Sequence, residues 1–249
     1  MRLLLSFPLC AVAFALSTWQ VLGSGPLVRW DEDLGVALRH ASPPTVLAEA
    51  LSDIGNMAVA LPLLAAAMAL RLLAGRGRGW WPVLCCALAM GAMAVVVSLV
   101  KVWTDRTGPL GGSGYFPSGH AATTTVALGG AVLLLSGLLS RPGRILAWVA
   151  AALLTAGNGL GLVWRGYHWP LDVAASWCLG VLLLGTVAAV ARPGCLPYAT
   201  PAAGDDRTGP EPEGAGRAAL EPEDTGRADT DPPDADVPDT EPQDGPRRT

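Results

Sequence analysis

The sequence has little charge for its length. Charged residues make up 15% of its 249 residues, whereas hydrophobic residues make up 51%, and the mean hydropathy is +0.39. Soluble domains usually carry about 25% charged residues. The composition therefore excludes an ordinary soluble enzyme and predicts a membrane protein.

Cysteine and histidine are also scarce. Four of the five cysteines lie within apolar runs, and their odd number gives no basis for a disulfide framework. No spacing between cysteine and histidine resembles a zinc site. We therefore expect the cysteines to pack between helices as small apolar residues, and we expect no metal and no cofactor.

Lysine is almost absent, because Lys101 is the only one among seventeen basic residues. In a chain so strongly biased toward arginine, a single lysine indicates a position where a compact ammonium group is required. The alternative is an interfacial residue whose ammonium group reaches out of the membrane.

The acidic residues are concentrated toward the C-terminal end. Residues 1–192 contain twelve basic and seven acidic residues, a net charge of +5, whereas residues 193–249 contain five basic and fourteen acidic residues, a net charge of −9. The second segment is rich in Pro and Gly, with too few large apolar residues to bury a core. We predict a membrane domain over 1–192 and a disordered Pro/Asp/Glu-rich tail over 193–249.

Six apolar stretches of about 20 residues predict an all-α, polytopic membrane protein built as a six-helix bundle. The predicted spans are 3–22, 46–73, 80–102, 120–139, 145–164 and 170–191. A signal peptide is the alternative for the first stretch, but its length favours an uncleaved anchor. Residues 23–45 mix charged and apolar residues, which predicts an interfacial amphipathic helix.

The charges also predict an orientation. In this topology seven basic residues fall on one side and five on the other, and all seven carboxylates of residues 1–192 fall on the second side. Since basic loops stay in the cytoplasm, the first side is predicted to be cytoplasmic. We expect a multi-pass protein of a bacterial plasma membrane, with loops 103–119 and 165–169 facing outward and the tail in the cytoplasm.

The segment from Tyr115 to His120 precedes the fourth predicted span. Ser118 has the position of a helix N-cap, with Gly119 beside it. A helix that begins there directs free N–H groups and the positive end of its dipole at the loop, which favours anion binding. His120 adds a titratable proton. The alternative is a capped turn with an incidental histidine.

A second polar group precedes the last span, where Arg165 and His168 are followed by Asp172 in the first helical turn. His120 and His168 are 48 residues apart, which is one helix inward, a tight turn and one helix back. Both histidines should therefore return to the same membrane face. An ionisable cluster at this depth is a candidate functional site.

These residue types suit phosphoryl transfer. His168 can attack phosphorus through one ring nitrogen while Asp172 orients the other nitrogen, and His120 can protonate the leaving oxygen. The phosphate oxygens would be held by a set of basic and helix-terminal groups. That set comprises Lys101, Arg106, Ser118, Gly119 and Arg165. A helix cap with a histidine nearby is the alternative for His168 and Asp172.

The pattern resembles the type 2 phosphatidic acid phosphatase family of membrane lipid phosphatases, which is related to the vanadium haloperoxidases. Pro117 to His120 match its second motif, Pro-Ser-Gly-His, and His168 with Asp172 match the end of its third. Lys101 and Pro109 keep the spacing of its first. The resemblance covers roughly residues 45–191.

Two basic positions of the family are missing, because its first-motif arginine falls at Gly108 and its third-motif arginine at Leu162. Arg106 and Arg165 lie two or three residues away, and we predict that they substitute.

The resemblance implies a metal-independent phosphatase that forms a phosphohistidine at the outer face. Its substrate would be a polyprenyl diphosphate or a phosphatidic acid type of lipid, and the outward-facing site favours the wall-carrier (undecaprenyl) diphosphate. A non-catalytic lipid-phosphate binding or transport protein on the same scaffold is the alternative. Membrane lipids are the other expected partners; nucleic acid is not, and the oligomeric state stays open.

Overall fold

The computed structural model describes residues 2–41, 43–75 and 79–191, with side chains from residue 7 onward. These residues lie within one compact unit. The predicted tail at 193–249 lies outside the described residues, and so does the predicted boundary between the two domains.

Every regular element in the described ranges is an α-helix, which confirms the all-α prediction. The helices are α1 (Arg2–Leu22), α2 (Pro26–His40), α3 (Thr45–Asp53), α4 (Met57–Ala74), α5 (Trp80–Thr104), α6 (Gly119–Leu135), α7 (Arg141–Trp164) and α8 (Pro170–Val190). Pro170 begins α8 as predicted. Proline is tolerated there because the N–H groups of the first helical turn have no acceptor within the helix.

Four of these helices, α4, α5, α7 and α8, are long and apolar enough to cross a membrane. A fifth candidate is the pair α1 and α2, whose axes meet at 92°. Helix α6 is apolar but has only 17 residues. The chain is therefore a multi-pass membrane protein, while the count of six spans stays a prediction.

Helix α6 lies at the centre of the described unit and packs against α4, α5, α7 and α8. Its sequence is rich in Ala, Gly and Thr, and small residues let helix backbones approach closely. A Cβ atom on Gly180 of α8 would lie 2.4 Å from Cγ2 of Thr125, and one on Gly129 would lie 2.3 Å from Cδ1 of Leu184. Both glycines are thus required for close contact between α6 and α8.

The second predicted span, 46–73, was expected as one continuous helix, and this prediction is wrong. The chain breaks between α3 and α4, where Asn56 caps α4 by accepting a hydrogen bond from the N–H of Ala58 at 3.0 Å. Gly55 fits the break because a Cβ atom there would lie 2.8 Å from both the carbonyl of His120 and the hydroxyl of Thr124.

Asn158 of α7 connects this break to the bundle. Its buried amide nitrogen donates to the carbonyls of Leu51 and Ser52 at 3.1 and 2.9 Å, and its oxygen accepts from the Thr124 hydroxyl at 3.0 Å. The side chain therefore pairs the Leu51 carbonyl at the end of α3 and adds a second donor to the Ser52 carbonyl, which also accepts from the N–H of Gly55 at 3.3 Å.

Asn158→Ala should lower the stability of the purified protein by about 2 kcal/mol, because it removes the hydrogen bonds to the carbonyls of Leu51 and Ser52 and to the hydroxyl of Thr124. Thermal unfolding in detergent measures the loss. Leu153→Ala, on the same helix but with 68% of its side chain exposed, is the matched control and should change little. Equal stability of the two variants would show that the Asn158 contacts contribute nothing.

Candidate active site

The two predicted motifs meet because polar groups connect the starts of α6 and α8. Ser118 caps α6, since its hydroxyl accepts a hydrogen bond from the N–H of Ala121 at 3.2 Å. The N–H of Ser118 donates to the carbonyl of Asp172 at 3.2 Å. The Ser176 hydroxyl lies 2.8 Å from the Ser118 carbonyl and 2.7 Å from the Asp172 carbonyl. Two helix N-termini, with their positive dipole ends, are therefore held side by side.

His168 and Asp172 form a buried pair in which Nδ1 lies 3.3 Å from Oδ2. The same oxygen accepts a hydrogen bond from the N–H of Trp169 at 3.0 Å, so the carboxylate is anchored to its own helix start. The ring of Tyr115 packs edge-on against the imidazole, with 5.6 Å between the ring centroids. Because Nδ1 is engaged, Nε2 is the ring nitrogen left to react with a substrate.

Arg106 lies between two carboxylates instead of at an open phosphate position. One terminal nitrogen is 2.6 Å from Oδ1 of Asp172 and the other is 2.6 Å from Oδ2 of Asp31. Only 5% of the arginine side chain is exposed, and its Nε is buried with no hydrogen-bond partner in the described residues. Its prediction as a phosphate ligand thus depends on the N–H donors that the two carboxylates leave unused, among them the one on Nε.

Asp31 was missed in the sequence, where it was read only as part of an amphipathic segment. Its other oxygen, Oδ1, accepts a hydrogen bond from the N–H of Leu171 at 2.6 Å. The available signal was a run of three acids in a chain with few charges. That run does not tell which carboxylate faces the core. Arg39, from the same helix, lies over the ring of Trp169 at 5.2 Å.

Lys101 and His120 lie near the His168–Asp172 pair. Lys101 lies in the last turn of α5, and its ammonium group donates to the carbonyl of Gly114. His120 is exposed in the first turn of α6 and is within electrostatic range of both His168 and Lys101. The structure therefore brings together His120, His168, Asp172 and the single lysine.

Arg165 is placed differently, because its Nε lies 2.7 Å from Oε2 of Glu49 in α3. Its terminal nitrogen lies 3.5 Å from the hydroxyl of Tyr167. The Tyr167 hydroxyl and the negative charge of Glu49 raise the pKa of Arg165, so the guanidinium stays charged. Its role as a phosphate ligand stays a prediction, and that role would require the ion pair with Glu49 to open.

At Gly108 and Leu162, where the family resemblance would place arginine, neighbouring side chains occupy the available space. A Cβ atom on Gly108 would lie 2.3 Å from the ring of Tyr115. Leu162 is 1% exposed and packs in an apolar cluster with Ala121, Val163 and Val173. Neither position has room for an arginine as the chain is folded.

The assembled groups can supply a nucleophile, a proton donor and a site for an anion. An imidazole with a carboxylate on one nitrogen is a nucleophile, and a second imidazole nearby can donate a proton. An ammonium group and the N–H groups at the start of α6 can bind phosphate oxygens, whereas the N–H groups at the start of α8 are already engaged by Asp172, Asp31 and the Trp169 carbonyl. Across 2–41, 43–75 and 79–191, no three His, Cys, Asp or Glu side chains are grouped to hold a metal ion.

The chain is similar to proteins of known family and structure. Residues 101–193 match the model of the PAP2 superfamily. A transmembrane PAP2 type phosphatidylglycerolphosphate phosphatase from Bacillus subtilis is 21% identical, with a TM-score of 0.64 over 72% of this chain and 94% of that chain. LpxE from Aquifex aeolicus is 22% identical, with a TM-score of 0.46 over 63% of this chain and 93% of that chain. The first likeness shows a shared fold. No curated protein sequence matches the chain.

Gly108→Arg and Leu162→Arg would restore the family pattern, and both should destabilise this protein. Leu162→Arg buries an unpaired charge, which typically costs about 3–5 kcal/mol, and Gly108→Arg must displace the ring of Tyr115. Thermal unfolding in detergent measures both. Ser113→Arg, at an exposed position of the same loop, is the control and should be near neutral. Wild-type stability in Leu162→Arg would show that the position accepts a cation.

Proposed function

We infer the function of this chain from the premise that it belongs to the PAP2 superfamily. The chain is proposed to be a membrane lipid phosphatase that uses His168 as its nucleophile. The observation that carries this proposal is the buried His168–Asp172 pair beside the capped start of α6. This pair provides an oriented imidazole next to the start of α6, whose free N–H groups can hold a phosphate group.

In the proposed reaction, Nε2 of His168 attacks the phosphorus of the lipid phosphate, and an N–P bond forms as the bond to the leaving oxygen breaks. His120 gives its proton to that oxygen. Asp172 stabilises the positive charge that develops on the imidazole of His168. Water then attacks the phosphohistidine while His120 accepts its proton, so that inorganic phosphate is released and both histidines return to their starting states.

The charge on the phosphate oxygens must be stabilised in the transition state. Lys101, the hydroxyl of Ser118 and the N–H group of Gly119 are proposed to contribute most, since the N–H of Ser118 donates to the Asp172 carbonyl. Arg106 can offer the N–H donors that its two carboxylate partners leave unused, among them the one on Nε. Arg165 is proposed to contribute only when its ion pair with Glu49 opens.

The proposed substrates are lipid phosphates and diphosphates at the outer face of a bacterial plasma membrane. The charge asymmetry of the loops supports that orientation, with the tail in the cytoplasm. An outward-facing site favours a polyprenyl diphosphate. A glycerolipid phosphate is the other class, and the similar phosphatidylglycerolphosphate phosphatase of Bacillus subtilis adds phosphatidylglycerolphosphate to the panel.

A non-catalytic lipid-phosphate binding protein is the second candidate. One observation favours it, namely that Gly108 and Leu162 are closed by packing while Arg106 is engaged by two carboxylates. Such a site would bind an anion more weakly and could lack turnover. Binding of a lipid phosphate without release of phosphate would favour this candidate.

Purified protein should release phosphate from at least one lipid phosphate in the panel. His168→Ala should abolish turnover because it removes the nucleophile, and His120→Ala should nearly do so because the leaving oxygen stays unprotonated. Arg29→Ala, an exposed cation of α2, serves as the control and should keep wild-type turnover. Wild-type turnover in His168→Ala would rule out the assigned nucleophile.

Vanadate should inhibit the reaction, since it adopts the trigonal-bipyramidal shape of phosphoryl transfer and can bond to His168 (transition-state analogues bind more tightly than substrates). EDTA should not inhibit. Phosphate release measured with each additive tests both statements. Loss of activity in EDTA that a divalent ion restores would contradict the proposed reaction.

A further inference from the structure

We propose that Asp31 of α2 is a positioning residue for the proposed reaction. It holds Asp172, and through it His168, in the orientation needed for attack on phosphorus. This inference rests on the proposed function and extends it to a helix that lies outside the matched segment 101–193.

The burial of Asp31 is unusual for its surroundings. Its neighbour Trp30 is 78% exposed and Asp33 is also exposed, whereas Asp31 is only 6% exposed. A buried carboxylate is costly unless it is paired and hydrogen-bonded. Helix α2 therefore directs one of its three acids inward, and that acid must find partners.

Both oxygens of Asp31 are used, and both connect to Asp172. Oδ2 lies 2.6 Å from a terminal nitrogen of Arg106, whose other terminal nitrogen lies 2.6 Å from Asp172. Oδ1 accepts a hydrogen bond from the N–H of Leu171 at 2.6 Å. Asp31 thus restrains Asp172 through the guanidinium and through the adjacent backbone of α8.

The charges give a second reason for this role. Arg106 alone would neutralise Asp172, and the pair would then have no net charge to stabilise an imidazolium. With Asp31 the three groups carry a net charge of −1. His168 develops a positive charge when its nitrogen attacks; the negative charge of these three groups favours it, while the nearby cation Lys101, which also interacts with Asp172, opposes it. Glu32 lies 4.0 Å from Arg106 but is 45% exposed, so water screens its charge.

An isosteric substitution separates this role from simple packing. Asn has one acceptor oxygen where Asp has two, so Asp31→Asn sets an amide donor against the guanidinium or the N–H of Leu171 and removes the charge. The variant should lower kcat by about 10–100-fold, the usual effect of losing a group that orients a reacting side chain. KM should stay within about threefold of wild type, because no contact to substrate is removed.

The experiment compares wild type, Asp31→Asn, Asp31→Glu and the exposed control Asp33→Asn in detergent. It measures kcat and KM for a lipid phosphate, the inhibition constant for vanadate, and thermal unfolding. Asp31→Asn should weaken vanadate in parallel with kcat. Asp31→Glu keeps the charge but displaces the carboxylate, so its kcat should lie between those of wild type and Asp31→Asn. Asp33→Asn should match wild type.

Wild-type kcat and vanadate affinity in Asp31→Asn, with lowered thermal stability alone, would overturn the inference and leave Asp31 a structural residue. If Asp31→Asn does not fold, Asp31→Glu decides, and wild-type values there overturn the inference equally. These failures are distinct from failure of the proposed function, in which the wild-type protein itself would release no phosphate from any lipid in the panel.

Discussion

A buried cation shared between two carboxylates connects the parts of this protein that form its site. Arg106 comes from the loop after α5, Asp31 from α2 and Asp172 from α8, and the guanidinium of Arg106 is within hydrogen-bond distance of both carboxylates. In a chain with 15% charged residues, such a cluster can be buried only because each member is paired. The site therefore depends on the N-terminal helices as well as on the motif-bearing segment.

The same constraint shapes the rest of the bundle. An apolar environment offers few partners for a backbone carbonyl, so the break between α3 and α4 requires a polar side chain from elsewhere. Asn158 of α7 supplies it, and Thr124 of α6 completes the set. The small residues of α6 allow the close packing that brings these groups within reach. The helix break between α3 and α4 is thus accompanied by buried side-chain hydrogen bonds from α6 and α7.

The site contains two histidines and a buried carboxylate, whereas its two arginines are paired with acidic side chains. Arg106 contacts Asp172, and Arg165 pairs with Glu49. In the proposed reaction, a phosphate group therefore depends mainly on Lys101 and on the start of α6 for stabilisation. The histidines are thus placed for catalysis, while the arginines are paired with acidic side chains. For this reason both a phosphatase and a lipid-phosphate binding protein are consistent with the site.

The sequence by itself determined the features that depend on neighbours along the chain. The apolar helices, the Ser118 cap, the start of α8 at Pro170 and the contact between His168 and Asp172 follow from helical periodicity and capping, and all were predicted. Only the tertiary structure decided which carboxylates Arg106 contacts, since its partners lie 66 and 75 residues away. It also decided the pairing of Arg165 with Glu49, the break at Gly55, and the packing of Tyr115 against Gly108. A charged side chain takes the partner that folding brings nearest, and that choice has no local signature in the sequence.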